Sequence, residues 1–394
     1  MTPLCDILKN YAARNPARFH MPGHKGGPLS LPELSDAARL DVTEIPGTGN
    51  LYLAGEPFDS AQKPWAERFG FDHCQFLTGG STMGIHTGLS LLCAPGEQVL
   101  VDRNCHRAVF NAMALLDLEP VYLERPWLEQ ENLIGPITPE QVESALKNHP
   151  NIKMVCITSP TYAGVLSDIG AISRVVHAHG ARLFVDGAHG AHLPFLGLTP
   201  FAGADGVVVS AHKTLPALGQ AALLFTNGMD PDRVRRMASV FGTSSPSYPI
   251  LASMDAARAW LEGDGARAYR QTALRVAQLR SRFPSLAGDL SLDPARLTLN
   301  VQDGPSFARS LEEQNIFPEM EDGGHVVFIC TPQDLEENFD RLERTLEGME
   351  DRMGPCPPLP SPPPKTAQLP TQINVYSYPC RSVSQGVVIA LCLP

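Results

Sequence analysis

Residues 206–220 read GVVVSAHKTLPALGQ. Val207, Val208 and Val209 form a short β-branched apolar run of the kind found in strands buried on both faces. The run ends abruptly in Ser210, His212 and Lys213. A lysine at that point reads two ways: a solvated loop lysine, the usual fate of the residue, or an amine held over the mouth of a sheet.

The same pattern recurs along the chain. QVLVD (98–102), PVYL (120–123), KMVCI (153–157), ARLFVD (181–186) and AALLF (221–225) are further strand candidates. Helical stretches such as HRAVFNAMALLD and TPEQVESALKNH lie between them. In the second, Thr138, Pro139 and Gln141 make a helix start with capping-box spacing. Strands alternating with helices predict an α/β fold, a mainly parallel sheet with helices on both faces.

The texture divides the chain. Residues 1–58 are Gly/Pro-rich and read as a loop-heavy segment laid over a large domain of residues 59–230. A smaller α+β domain is expected over 231–352. It opens with a long helical stretch and contains the strand candidates RLTLNV and HVVFIC. Its last helix should begin at Thr331, Pro332 and Asp334, with Leu335, Phe339, Leu342, Leu346 and Met349 in one apolar stripe. In the remainder, 353–394, the run PCPPLPSPPP predicts a stiff extended linker. The final thirty residues carry no strong signal.

Bulk properties narrow the function. The chain has 394 residues, 43% hydrophobic content and a formal charge of −11, ordinary for a globular protein and unsuited to nucleic acid or an anionic membrane. Nine cysteines without a CxxC or a Cys/His zinc spacing fit reduced thiols in the cytoplasm. The amino terminus shows no apolar signal region. The apolar run GVVIALCLP is too short to span a bilayer.

Four polar clusters fall where strands end, the place where open α/β sheets bind ligands. TGGSTMG (78–84) offers Gly79 and Gly80 for a tight turn, and Ser81 and Thr82 beside the free N–H groups of a helix start. That is a phosphate cradle, or a simple N-cap turn. It is neither a P-loop nor GxGxxG. Asp186 ends a strand after apolar residues, so it needs a cationic partner or caps a helix. His106, just past QVLVD, can stack on a flat ligand or cap the next helix. His189 and His192, three apart, invite a zinc reading, but no third ligand supports it, and no metal is expected. Lys213 completes the set. Together these parts suit pyridoxal 5′-phosphate (PLP), which takes a lysine for a covalent link, a carboxylate for its ring nitrogen, a phosphate cup and a flat cover.

Several stretches carry a family resemblance: FHMPGHKGG, DVTEIPGTGNL, FLTGGSTMG, VDRNCHRAV, SPTYAGVLSDI, VDGAHGAHLPF, GADGVVVSAHKTLPALGQAALL, TSSPSYPILASMDAAR and EMEDGGHVVFIC. In this order, over roughly residues 2–350, the chain resembles the bacterial-type Orn/Lys/Arg decarboxylases. These are PLP enzymes of fold type I, the aspartate aminotransferase fold, and the likeness is to short forms without a wing domain. The resemblance implies Lys213 as the cofactor lysine, Asp186 as partner of the ring nitrogen and His106 stacked on the ring. Ala188 lies under the other face. Gly80, Ser81, Thr82, Ser210 and His212 fall on the phosphate side, and His189 belongs to the same cofactor site. His212 or Lys213 would return the proton to the substrate. TSSPSY (243–248) is expected near the active site, across a dimer interface. The implied activity is decarboxylation of a basic amino acid in a cytoplasmic homodimer or higher homo-oligomer. Arginine is favoured over lysine and ornithine because the short form is most similar to biosynthetic arginine decarboxylases.

Two stretches depart from the family pattern. GTGNL (47–51) has Gly49 where the family often has an acid. No Asp or Glu follows Asp351, whereas the family's C-terminal section carries an acid that helps read the substrate's distal cation. Tyr378-Pro379 is a loose match to that section. Alternatives therefore stay open: another fold type I reaction such as an aminotransferase or lyase, or a PLP-binding partner without activity.

Overall fold

The computed structural model describes residues 1–287, 289–355, 376–378 and 387–389. In chain order, β1 (His73–Leu77), β2 (Gln98–Asp102) and β3 (Glu119–Leu123) precede a small hairpin, β4 (Trp127–Leu128) and β5 (Leu133–Ile134). Then come β6 (Ile152–Thr158), β7 (Arg182–Asp186), β8 (Gly206–Ser210) and β9 (Ala222–Thr226). Seven of these form the main sheet in the order β1-β9-β8-β7-β6-β2-β3. Only β9 runs against its neighbours, pairing antiparallel with both β1 and β8. This is the mainly parallel α/β sheet that the alternation predicts.

The helices are α1 (Pro3–Ala13), α2 (Ser35–Leu40), α3 (Phe58–Phe69), α4 (Gly80–Leu92), α5 (Arg107–Leu115), α6 (Pro139–Asn148) and α7 (Ile169–Ala178). They continue with the single turn α8 (Ala211–Thr214), α9 (Pro231–Phe241), α10 (Tyr248–Trp260), α11 (Ala266–Arg282), α12 (Gly304–Glu313) and α13 (Glu336–Glu347). Thr138 and Gln141 make the reciprocal capping box at the start of α6.

Every residue of β8 is buried, and the strand's period of two divides its valines between two cores. Val207 and Val209 join the core on one face, with Leu183, Val185 and Phe225. Val208 joins the core on the other, with Phe184 and Leu224. On that second face α4 lies close to the sheet because it carries glycine where it touches. A Cβ on Gly84 would stand 2.3 Å from Val208 Cγ2, and one on Gly88 2.1 Å from the Phe184 ring.

The strand–helix alternation ends near residue 230, but the change of core comes later. Val234 and Ala238 of α9 belong to the second core of the large sheet. Tyr248, Leu251 and Met254 of α10, and Tyr269 of α11, belong to the first. Val276 and Leu279, further along α11, enter a separate core with Leu297, Leu299, Phe307 and Val326. That core lies against a three-stranded antiparallel sheet, β10 (Arg296–Asn300), β12 (His325–Ile329) and β11 (Met320–Glu321), in the order β10-β12-β11.

The last helix of this region begins later than its sequence suggests. Asp334 Oδ2 accepts the Thr331 N–H (2.8 Å), which closes a turn there, and α13 starts at Glu336. Phe339, Leu342, Leu346 and Met349 are in the core as the stripe predicts, whereas Leu335 at the N-cap is exposed.

The first fifty-eight residues are mostly loop, with α1 as an anchor. Leu4 and Leu8 are buried in the main core, and Asp255 accepts the N–H groups of Leu4 and Cys5. The departure at Gly49 has a local cause. Its φ is +74°, and a Cβ there would stand 2.6 Å from the Glu56 carbonyl oxygen. Its own carbonyl accepts the Tyr248 hydroxyl at 2.7 Å. An acidic side chain would be strained at this position.

Past Pro355 most of the expected proline-rich linker lies outside the described residues, as does Pro379. Tyr376–Tyr378 (β13) and Val387–Ile389 (β14) form a short antiparallel pair.

Candidate active site

The C-terminal ends of β1, β2, β6, β7 and β8 meet at one edge of the sheet, beside the first residues of β9. A cavity of about 330 Å³ opens there. Gly80, Ser81, Thr82, His106, Asp186, Ala188, His189, Ser210, His212 and Lys213 all line it. TSSPSY (243–248) does not. Within the chain its Tyr248 is buried in the core against Phe58.

Lys213 stands on α8, the single turn that follows β8 directly. His212 pins this turn to the start of β9: its backbone N–H donates to the Ala221 carbonyl (3.2 Å), and its Nδ1 lies 2.9 Å from the same oxygen. The half-buried Lys213 amine faces the cavity 3.1 Å from His189 Nε2. Burial pushes its pKa below the ordinary lysine value; the nearby charges of Asp186 and Glu319 oppose that shift and Arg296 adds to it.

Asp186 ends β7 and is 2% exposed. Its hydrogen-bond partner is the Ala188 N–H (3.2 Å), and among the described residues it has no ion pair. Burial therefore dominates, and its carboxyl is pushed up to about 6.

At the other end of the cavity, Gly79 is the N-cap of α4 and brings no side-chain acceptor to the helix start. The Gly80 N–H is used by the Gln220 carbonyl (2.9 Å). The Ser81 and Ser210 hydroxyls hydrogen-bond each other at 2.7 Å across the gap between α4 and β8. A helix start without a side-chain cap, flanked by two hydroxyls, has free donors that an anion can use. His106 caps α5 by accepting the Ala108 N–H at Nδ1 (3.1 Å), with its ring on the cavity wall. Burial and the charge of Lys213 hold its pKa below the ordinary value.

The two histidines of the possible zinc pair have different partners. His189 lies between Lys213 and Arg296, whose Nη2 is 3.4 Å from Nδ1. His192 Nε2 is 2.8 Å from Asp293 Oδ1, on the small-domain side. Among the described residues no group of three His, Cys, Asp or Glu side chains could hold a metal.

Four cationic, acidic or aromatic residues at or behind the cavity are not marked as functional by their sequence context. Arg125 is clamped on Asp102, with Nη2 at 2.6 Å from Oδ2 and Nε at 3.1 Å from both oxygens, and it also donates to the Thr158 and Gly135 carbonyls. Tyr162 packs its ring 4.4 Å from that of His189 and donates its hydroxyl to Glu319 Oε1 at 2.7 Å. Glu319 and Arg296 come from the small-domain sheet region. One signal was available: QVLVD ends in a buried aspartate just as LFVD does, so the cue that marks Asp186 marks Asp102 as well. The arginine that meets it lies twenty-odd residues on, in an irregular stretch.

Comparison with known proteins adds to this geometry. A family model described as "Orn/Lys/Arg decarboxylase, major domain" matches residues 2–307. The chain is 34% identical to a Bacillus subtilis protein named YaaO, over 83% of this chain and 73% of that one. It is 31% identical to the arginine decarboxylase of the same organism, over 89% of this chain and 78% of the relative. A solved lysine decarboxylase from Francisella novicida, LdcF, superposes with a TM-score of 0.77 at 22% identity, over 89% of this chain. The chain spans 60% of that longer structure. At that identity the likeness speaks to fold, and the fold is the PLP fold type I.

Proposed function

Since the chain belongs to the Orn/Lys/Arg decarboxylase family, we propose that it decarboxylates a basic amino acid, arginine first, using PLP held by the cavity residues. One observation carries the proposal. Asp186 is a buried carboxylate with no ion pair among the described residues, placed in the same cavity as the half-buried amine of Lys213. A cationic ring that also needs an amine satisfies both groups at once.

When bound, PLP supplies the electron sink for the pair left as CO₂ departs. The protein's groups do the rest. Lys213 would make the covalent link, and its Nζ, or His212, would hold the proton destined for the substrate's Cα. Asp186 would hold the ring nitrogen in its cationic form. The uncapped N-terminus of α4, with Gly80, Ser81, Thr82, Ser210 and His212, would hold the phosphate. His106 and Ala188 would bound the ring. His189 contacts the cofactor lysine.

A basic substrate needs an acid at its far end. The Glu319 carboxylate, held by the hydroxyl of the cavity residue Tyr162, is the acid we assign to that end. The proposal includes a homodimer or higher homo-oligomer, and a small domain that presents Glu319 to the cavity of the large one. No helix among the described residues is long and apolar enough to cross a membrane.

The test is direct. The purified full chain is scanned for the visible absorbance of a lysine-linked cofactor, reduced with borohydride, and its peptides are weighed. The added mass should fall on the peptide containing Lys213 and vanish in Lys213→Ala. Incubation with arginine, lysine or ornithine should release CO₂ with agmatine or the matching diamine. Keto acid products, or no turnover of any of the three, would overturn the reading.

A further inference from the structure

The nitrogen of Lys213 is the end of a hydrogen-bonded chain that crosses from the large domain into the small one. Lys213 Nζ lies 3.1 Å from His189 Nε2, and His189 Nδ1 lies 3.4 Å from Arg296 Nη2. Arg296 begins β10 and its side chain is 1% exposed, as is that of Asp293. Asp293 Oδ2 is 3.7 Å from Arg296 Nη2, and Asp293 Oδ1 accepts the Ala295 N–H (2.9 Å) beside His192. Although burial alone would raise it, His192 and Arg296 hold the Asp293 carboxyl down at about 2. Arg296 therefore sits against a fixed negative charge in a site closed to solvent.

We infer that Arg296 is a positioning residue: it sets the tautomer of His189 and so holds the Lys213 amine in its neutral form. A guanidinium has five N–H donors and no acceptor, and it does not lose its proton in proteins. Facing Arg296, His189 Nδ1 must accept. A neutral imidazole has one N–H, so the proton is then on Nε2, pointing at Lys213. The amine can meet that N–H only with a lone pair, that is, as –NH₂. An ammonium would need Nε2 as acceptor, which moves the imidazole proton to Nδ1, head-on against the Arg296 donors.

The other groups facing this amine are Asp186 and Glu319, which favour its charged form, and His106 and the Tyr162 ring. The lowered pKa of His189, caused by burial and then by Lys213 and Arg296, fits a neutral ring. The functional meaning rests on Lys213 being the cofactor lysine, since the neutral amine is the nucleophile that the covalent link requires. The tautomer chain itself does not depend on that reading.

The experiment uses the full chain treated with hydroxylamine, which releases any carbonyl compound linked to Lys213, and then dialysed. Trace acetylation across about pH 7 to 11 is read on the Lys213 peptide by mass spectrometry, giving the midpoint of that one amine. The wild type should titrate below the ordinary lysine value of about 10.4. Arg296→Met and His189→Leu should each raise the midpoint by about one unit. His189→Gln should keep it low, because the amide carbonyl can face Arg296 while its NH₂ faces Nζ. Should Arg296→Met fail to fold, ¹⁵N spectra of histidine-labelled wild type, with the His189 signal assigned by its loss in His189→Gln, report the tautomer without it. Leu and Gln variants that titrate alike, or a His189 proton on Nδ1, would overturn the inference. Neither readout needs bound PLP. Loss of the lysine-linked absorbance would therefore count against the proposed function and not against this chain.

Discussion

Asp102 and Asp186 occupy the same kind of position, the last residue of a buried parallel strand, and only Asp102 has an arginine. Arg125 chelates Asp102 with both residues essentially closed to solvent. Among the described residues Asp186, two strands away, has only the Ala188 N–H. One aspartate is a finished structural joint, tying the ends of β2 and β6 to the loop after β3. The other lines the cavity, with its carboxylate in reach of the ligand proposed for it.

Removing the charge of Asp186 should therefore separate stability from function. Its folded pKa, about 6, lies above the unfolded value of about 3.9. In the cofactor-free protein the folded state holds the proton more tightly, so stability falls as pH rises between about 4 and 6. The shift corresponds to a penalty on the order of 3 kcal/mol, fully present above pH 6. Asp186→Asn should match the wild type near pH 4 and be the more stable protein at neutral pH, as read by denaturant melts of both at several pH values. If the proposed function holds, its turnover should fall by about 100-fold or more, because the ring nitrogen of bound PLP would lose its counter-charge.

The Asp102–Arg125 pair should behave in the opposite way. Arg125→Met leaves a buried carboxylate alone and should cost about 3–5 kcal/mol. The double change Asp102→Asn with Arg125→Met should recover part of that loss. A double-mutant cycle by urea unfolding measures the coupling. Additive effects would show that the pair does not act as a unit.

Glu319→Gln should raise KM for the basic substrate by about tenfold, the range for a hydrogen bond to a charged group, with a smaller change in kcat. Tyr162→Phe should move KM the same way by releasing the carboxylate that its hydroxyl holds at 2.7 Å. Steady-state kinetics on both variants decides this. An unchanged KM in Glu319→Gln removes Glu319 from substrate reading.

Gly88→Ala should destabilise the fold by about 1–3 kcal/mol, because the new methyl overlaps the Phe184 ring. Thermal unfolding against the wild type is the check. A shortened side chain at 184, as in the pair with Phe184→Leu, should relieve part of the cost.

Much of this protein is written locally in its sequence. β-branched apolar runs, capping residues and tight glycines act over a few positions, so most strands of the main sheet, the capping box of α6 and Gly80, Ser81, Thr82, His106, Asp186 and Lys213 could be named by type and place, while Ala188, His189, Ser210 and His212 joined them through the family resemblance. The start of α13 could not, because Asp334 closes its own turn with Thr331 instead of opening the helix. The partners of those residues were also beyond local reading. Arg125 and Tyr162 line the cavity from loops after β3 and β6, while Arg296 and Glu319 lie behind it near the three-stranded sheet; Tyr162 and Glu319 fall inside stretches that carry the family resemblance, yet no local pattern shows what they meet. At Gly49, where the resemblance leads one to expect an acid, the φ of +74° and the nearby Glu56 carbonyl show why glycine fits. The sequence by itself determined that a lysine, an aspartate and a hydroxyl-bearing turn end separate strands of one sheet. The tertiary structure decided which of the two strand-end aspartates meets an arginine, and which groups face the two nitrogens of the histidine beside the lysine. Both are set by which donors the fold brings within hydrogen-bonding distance after burial has removed water.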